Sequence, residues 1–326
     1  MSHPSLDVPR LWTLARASLY PALRSRYATT TLEIDGRTGG RPLPPLMQRP
    51  WVADLVLVLL YDFGQHMSYI TRQHVESWET TEDELWGYAF HNLKSLPRPR
   101  WDPSGDGVFR LISEATYEET FLLLDEARAL LRFAGHAVYA IPNRGVLLAA
   151  DGTDTLALRA LIGQAQALLG QSAFPMSGAL LQRTREGWGR VSVPASLQAA
   201  QHALETQSLS YAYRDQKTAL DKLFARERTE LFVATFALRD TDDPAQLQSY
   251  AVLTEGVDTL LPQADHVIFN RGVGGLHPER LAVPWATLQS QFGQYLEGPV
   301  ESPVRYRVRH FPTAAEWRAL EAALDA

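Results

Sequence analysis

The chain has 326 residues, too many for one typical hydrophobic core, so length alone points to two domains. Hydrophobic residues make up 45% and charged residues 21%, which excludes a disordered chain, and a formal net charge of -6 gives no general attraction to nucleic acid or anionic membranes. The absence of cysteine excludes disulfides, thiolate nucleophiles and thiolate metal sites, and it fits a reducing cytoplasm.

The opening residues, MSHPSLDVPRLWTLARASLYPALRSRYATT, hold no long apolar stretch bounded by small residues, so no signal peptide is expected there. The longest apolar run, VLVLLY with its flanks, falls far short of the roughly 20 residues that span a bilayer. A soluble cytoplasmic protein without a membrane partner is the expectation. An amphipathic helix is predicted from about Pro9 to Leu19, limited by Pro21. TTTLEID reads as a strand running into an Asp35-Gly36 turn. The glycine- and proline-rich GRTGGRPLPPLMQRP reads as an extended crossing segment. Its RPLPPL could be taken for a polyproline ligand, but Met47 occupies the place of the second spaced proline, and a linker or edge segment is the better reading.

VADLVLVLLYDF, apolar throughout and bounded by turn residues, predicts a strand buried on both faces. SYITRQHV suggests a short second strand, and Thr81 with Glu84 forms a capping box at the head of a helix that carries Lys94 in its last turn. The loop PRPRWDPSGDG and strand VFRLI follow, then a helix capped by Thr116 and Glu119 with Leu123, Ala127, Leu130 and Leu131 on its apolar face. YAIPNRGVLLAADG predicts a hairpin. Pro142 suits the first corner of its turn, Asn143 tolerates turn geometry and Gly145 supplies a positive φ, which leaves Arg144 free at the tip. DTLALRALIGQAQALL is an amphipathic helix stopped by Gly170.

A helical stretch from about Pro194 to Phe224, broken near Ser208, leads to the C-terminal part. There LFVATFAL, SYAVLTEG, HVIFN and VRYRVRHF are predicted strands. Trp285 to Phe292 is a predicted helix, and TAAEWRALEAALDA is a closing helix capped by Thr313 and Glu316. Strands alternate with helices, but the hairpin demands antiparallel pairing. The expected class is α+β, with mixed sheets and antiparallel hairpins covered by amphipathic helices, in two domains covering residues 1–195 and 196–326.

The block VADLVLVLLYDFGQHMSYITRQHVESWETTEDELWGYAFHNL resembles the YtpQ-like family of bacterial proteins. The shared pattern is an apolar strand, an aspartate, a Y-I/V-T step and a helix of the form T-x-x-E-L … A-x-x-N-L. GHAVYAIPNRGVLLAADG is similar to that family's A-x-P-x-R hairpin, although Gly145 stands where an acidic residue is usual. The resemblance covers about residues 50–190, with a weaker echo in GVDTLLPQADHVIF. It is a family of unknown function, so the resemblance implies a fold and no activity or catalytic residues.

The candidates for chemistry are few. DPSGDG fits the first half of a calcium loop, but the twelfth position is Ser113 rather than a glutamate, so Asp106-Gly107 is read as a turn. Asp62, His66, His74 and His91 are the densest set of metal-ligand or acid–base types, yet no spacing forces them together, and ordinary surface or half-buried positions are the better reading. Ser177 in FPMSGAL lacks the leading glycine of a nucleophile elbow, and NRGVGGLHPE lacks the strand-to-helix setting of a dinucleotide site and reads as a flexible surface loop. In VRYRVRHF the alternation puts Arg305, Arg307 and Arg309 on one strand face. That face could meet an anionic ligand or be a solvated surface paired with glutamates.

Three functions remain. The first is a non-catalytic module that binds a protein or peptide, with Arg144 available to a partner. The second is a hydrolase using Asp62 with His66 or His91. The third is a binder of an anionic ligand through Arg305, Arg307 and Arg309. The first fits best, because no convergent catalytic set emerges. It carries the expectation of no cofactor and no metal, and the chain's acidity argues against nucleic acid.

Overall fold

The computed structural model describes residues 8–171, 173–239, 247–272 and 278–324. These fall into two compact units. The first holds the chain up to Arg26 and Leu43–Leu197; the second holds Tyr27–Pro42 and the chain from Gln198 onward, so it is built from two separate stretches. Both combine helices with mostly antiparallel sheets, an α+β architecture. No helix among the described residues is long and apolar enough to cross a membrane.

In the first unit a single helical turn, α1 (Trp12–Ala15), and a 3-10 turn lead into strand β1 (Leu19–Ser25). The helix expected up to Leu19 is therefore cut short, and Pro21 lies inside a strand. It is tolerated there because β1 is an edge strand, where a missing N–H need not interrupt a ladder. Helix α2 (Arg26–Thr38), which passes into the second unit, replaces the strand expected at TTTLEID. Burial overrides the β preference of the three threonines. Ile34 is packed among Ala219, Leu220, Leu223, Val233 and Leu260, and Arg226 donates to the carbonyls of Arg37 and Thr38 at the helix end.

Strands β2 (Gln48–Pro50), β3 (Leu55–Asp62) and β4 (Met67–Tyr69) complete the first sheet. The apolar strand β3 lies at its centre, with β1 on one edge and β2 and β4 on the other. Its side chains alternate between two apolar clusters, Leu55, Leu57 and Leu59 on one face and Val56, Val58 and Leu60 on the other, as a strand buried on both faces requires. The strand expected over SYITRQHV ends at Tyr69, because Thr71 caps helix α3 (Arg72–Trp78) and donates its backbone N–H to Nδ1 of His74. Helix α4 (Glu82–Ser95) begins with the expected capping box between Thr81 and Glu84.

The second sheet has the order β10-β9-β7-β8-β6-β5, antiparallel throughout, from β5 (Arg100–Gly105), β6 (Val108–Ile112), β7 (Ala137–Ala140), β8 (Leu148–Asp151), β9 (Leu180–Thr184) and β10 (Gly187–Arg190). Half of the expected loop PRPRWDPSGDG is thus strand β5. Asp106 and Gly107 form a two-residue turn with φ of 51 and 77, the conformation a tight hairpin favours. The helix expected from Thr116 is reduced to a 3-10 turn and the one-turn helix α5 (Asp125–Arg128), for a reason that lies in Glu119, described below. Helix α6 (Thr155–Leu169) packs on β6, β7 and β8 through Leu158, Leu161, Ile162 and Ala165.

The second unit begins its C-terminal stretch with α7 (Gln198–Glu227), 30 residues without the break expected at Ser208, whose small side chain is buried. LFVATFAL divides into β11 (Phe232–Val233) and β12 (Ala237–Arg239), which join different sheets. The strands β13 (Gln248–Thr254), β14 (Thr259–Pro262), β15 (His266–Arg271) and β16 (Glu279–Pro284) follow, then α8 (Trp285–Phe292), β17 (Glu297–Val300), β18 (Arg305–Val308) and α9 (Ala314–Leu324). One sheet runs β11-β14-β18-β17 and the other β12-β13-β15-β16. A shared core of Leu253, Val267, Phe269, Val283, Leu261 and Val308, with Leu288, Phe292, Trp317 and Leu320 from α8 and α9, fills the space between them.

Candidate functional site

That core claims one face of the sheet β12-β13-β15-β16, and among the described residues the other face is left largely open. In β13 the residues Ser249, Ala251 and Leu253 are buried while Tyr250, Val252 and Thr254 are half-exposed, and in β15 Val267 and Phe269 are buried between His266, Ile268 and Asn270. The strand period of two does the sorting. The outward set meets across the sheet in registered rows: Ala237, Tyr250, His266 and Pro284 in one, Val252, Ile268 and Ala282 in the next, and Thr254, Asn270 and Arg280 in a third. All of these but Ala237 and Thr254, together with Arg239 and Gln248 at one end and Leu324 of α9, line a recess of about 710 Å³. That volume is in the range of ligand pockets.

The recess has an apolar floor and cationic corners. Tyr250, Val252, Ile268 and Ala282 make the floor. Among the described residues Arg239 and Arg280 are exposed and form no ion pair, and none of those that line the recess is a carboxylate. Oδ1 of Asn270 is buried and accepts no hydrogen bond among the described residues, although a donor could satisfy it. Ser249 lines the recess with a hydroxyl of the nucleophile type, but its commitments are structural. Its N–H and Oγ–H both donate to Oδ2 of Asp265 at 2.7 Å, and its Oγ accepts from the Asp265 N–H at 2.9 Å.

Beyond Asp265 stands His202, its Nε2 3.2 Å from Oδ1. Burial works to raise the Asp265 pKa, but hydrogen bonds from His202 and Ser249 win and hold it at about 2. The same hydrogen bond to Asp265 raises His202. The carboxylate stands between histidine and serine, whereas a hydrolytic triad needs the imidazole between carboxylate and hydroxyl. The trio ties α7 to the start of β15; it is not an activated nucleophile.

The residues singled out from sequence lie elsewhere. Asp62 does not meet His66 or His91. Its Oδ2 accepts from the Tyr117 hydroxyl at 2.9 Å and its Oδ1 from the Gly64 N–H at 2.6 Å, while His66 stacks on Phe63 at 4.5 Å and His91 is exposed on α4. The tyrosine hydroxyl, pushed up by burial and by the carboxylate, is a donor rather than a base. This arrangement removes the pairs on which the hydrolase expectation stood. His74 spends Nδ1 on its helix cap, and among the described residues no three carboxylate or imidazole side chains gather as metal ligands. Ser177 is buried and hydrogen-bonded to Asp54.

The arginine strand is corrected as well. Arg305 is 0% exposed; Nε donates to Oε1 of Gln216 at 2.6 Å and the guanidinium to the carbonyls of Ala234, Leu260 and Tyr213. Burial lowers its pKa to about 10. Arg307 makes a two-point bond to Asp258, at 2.9 and 2.6 Å, and Arg309 approaches Asp258 and Glu297. The alternation was real, but α7 covers that face at Arg305, so the three do not form an open anion site. Arg144 is exposed in its hairpin loop, with its guanidinium 4.3 Å over the Phe174 ring. Of the glycine loop NRGVGGLHPE, Asn270 and Arg271 end β15 and Glu279 begins β16, while 273–277 lie outside the described residues.

Sequence reasoning missed the recess because β16, spelled ERLAVP, follows a glycine-rich stretch and ends in proline. Without β16 the outward residues of β13 and β15 have no partner row. The available signal was the alternation in SYAVLTEG. No family model matches the chain, and no curated protein or solved structure does so either.

Proposed function

We propose that the protein is a non-catalytic binding module of the cytoplasm that takes a peptide segment of a protein partner on the open face of β12-β13-β15-β16. One observation carries this reading: a 710 Å³ recess on a sheet face whose floor is apolar and whose serine hydroxyl is already committed to a structural carboxylate. Side chains of an extended segment fit such a surface because a strand presents alternate residues to one side. The absence of cysteine agrees with a reducing compartment. The YtpQ-like pattern of residues 50–190 lies in the first unit and adds no chemistry to the recess.

The test is selection of a random dodecapeptide library on the immobilised chain. Enriched peptides should lose binding to Ile268→Arg, which fills the centre of the floor from a half-exposed position, while its thermal midpoint stays near wild type. Failure to enrich, or enrichment that ignores Ile268→Arg, would refute the assignment.

A further inference from the structure

We infer that the occupant of this recess is an acidic extended peptide, with carboxylates at both ends of an apolar centre; the inference rests on the binding reading above. The observation behind it is the placement of the two cationic corners. Arg239 pairs with Gln248 at one end of β13, and Arg280 pairs with Asn270, which in turn pairs with Thr254 at the other end. The corners are thus about six residues apart along the strands and three strand spacings across, or about 20 Å by 14 Å. The diagonal is about 25 Å, which an extended chain covers in about seven or eight residues. A small ligand inside the recess reaches one corner; a peptide strand reaches both.

Between the corners the diagonal crosses Tyr250, Val252, Ile268 and Ala282, which ask for apolar side chains on the facing side of the segment. A second copy of the face meets an obstacle, because both of its free corners are cationic as well. A polynucleotide needs a run of cations along its phosphates, and here there are two arginines on a chain of net charge -6.

The probes are fluorescein-labelled ten-residue peptides with the same Val/Thr alternating centre, carrying either two acids at each end, two lysines at each end, or all four acids at one end. Fluorescence anisotropy should show the doubly acidic peptide binding about tenfold more tightly than the lysine peptide, as two exposed charge contacts allow. The preference should shrink with added salt, and the one-ended peptide should bind more weakly. In the double variant Arg239→Glu/Arg280→Glu the preference should invert in favour of lysine. If library-selected peptides bind through Ile268 yet are indifferent to that double variant, the acidic assignment is overturned and the binding module stands. A dimer in sedimentation that Ile268→Arg dissociates would assign the face to a second copy and overturn it too.

Discussion

The backbone N–H of Gly145 donates to Oε2 of Glu119 at 2.8 Å, while Oε1 of the same carboxylate holds Nη1 of Arg24 at 3.0 Å. A hairpin loop, a 3-10 turn and an edge strand are thereby tied to one buried charge. Glu119 is 0% exposed and Arg24 4%. This explains why Glu119 does not cap a helix: its charge is needed inside, where the Arg24 guanidinium and an amide N–H are its solvent.

Glu119→Ala is expected to destabilise the protein by about 3–5 kcal/mol, because it strands the Arg24 charge in the interior. Replacing both partners, as Arg24→Leu/Glu119→Leu, should recover much of that loss, since no uncompensated charge remains. Chemical denaturation of the three variants decides it; a Glu119→Ala cost under about 1 kcal/mol would show that water reaches the pair.

The hairpin gives a second expectation. Val146 N–H bonds to the Asn143 carbonyl, so Arg144 and Gly145 are the corners of the turn, and Gly145 has a φ of 73. The corner assigned to Pro142 from sequence is displaced by two residues, since Pro142 accepts from the Met176 N–H in a pairing with residues 174–177. Gly145→Val should cost about 1–3 kcal/mol from strain at positive φ. Arg144→Ala should cost about 0.5–1 kcal/mol, the value of its contact with the Phe174 face. Denaturant melts in the reverse order would refute this turn.

What could be read in advance was local. The Thr81/Glu84 box, the Asp106-Gly107 turn, the span of α8 and the Thr313/Glu316 box each rest on contacts between residues at most four apart. What could not be read depended on distant partners. Thr29–Thr31 are helical because Ile34 meets α7, and Arg305 is buried because Gln216 and three carbonyls receive it. The recess belongs to this second kind. The alternation of β13 was visible, but that face becomes a site only when β12, β15 and β16 bring Arg239, Asn270 and Arg280 to its ends.

The burial of Arg305 separates it from the other two strand arginines, which were expected to share an accessible face with it. Arg305→Met should cost about 2 kcal/mol or more, because it takes the donor from Oε1 of Gln216 and from the Ala234 carbonyl, each worth about 1–3 kcal/mol when unpaired, while the Leu260 carbonyl keeps the Ala234 N–H. Arg307→Gln breaks a surface pair with Asp258 and should stay within about 1 kcal/mol of wild type. Thermal melts of the two single variants separate these cases, and equal midpoints would mean that Arg305 is solvated.

The link between His202 and Asp265 sets a pH dependence with two limbs. Asp265 is held at about 2, below its ordinary value of about 3.9, so its contribution is full above pH of about 4 and disappears as pH falls toward 2. His202 is raised by the same hydrogen bond, so its contribution is full below about pH 6.5 and is lost as pH rises through the higher folded value. The two limbs describe one interaction and do not add. His202 is about half exposed (52%), and Asp265 also keeps its bonds from Ser249, so solvent screening leaves the acid limb at about 1–2 kcal/mol and the alkaline limb smaller. His202→Gln removes the charge on one side of the bond. Stability profiles from pH 2 to 9 should therefore lose the alkaline limb in that variant and keep part of the acid limb, which the Ser249 donors sustain. An alkaline limb that persists in His202→Gln would assign it to another histidine and break the proposed link between α7 and β15.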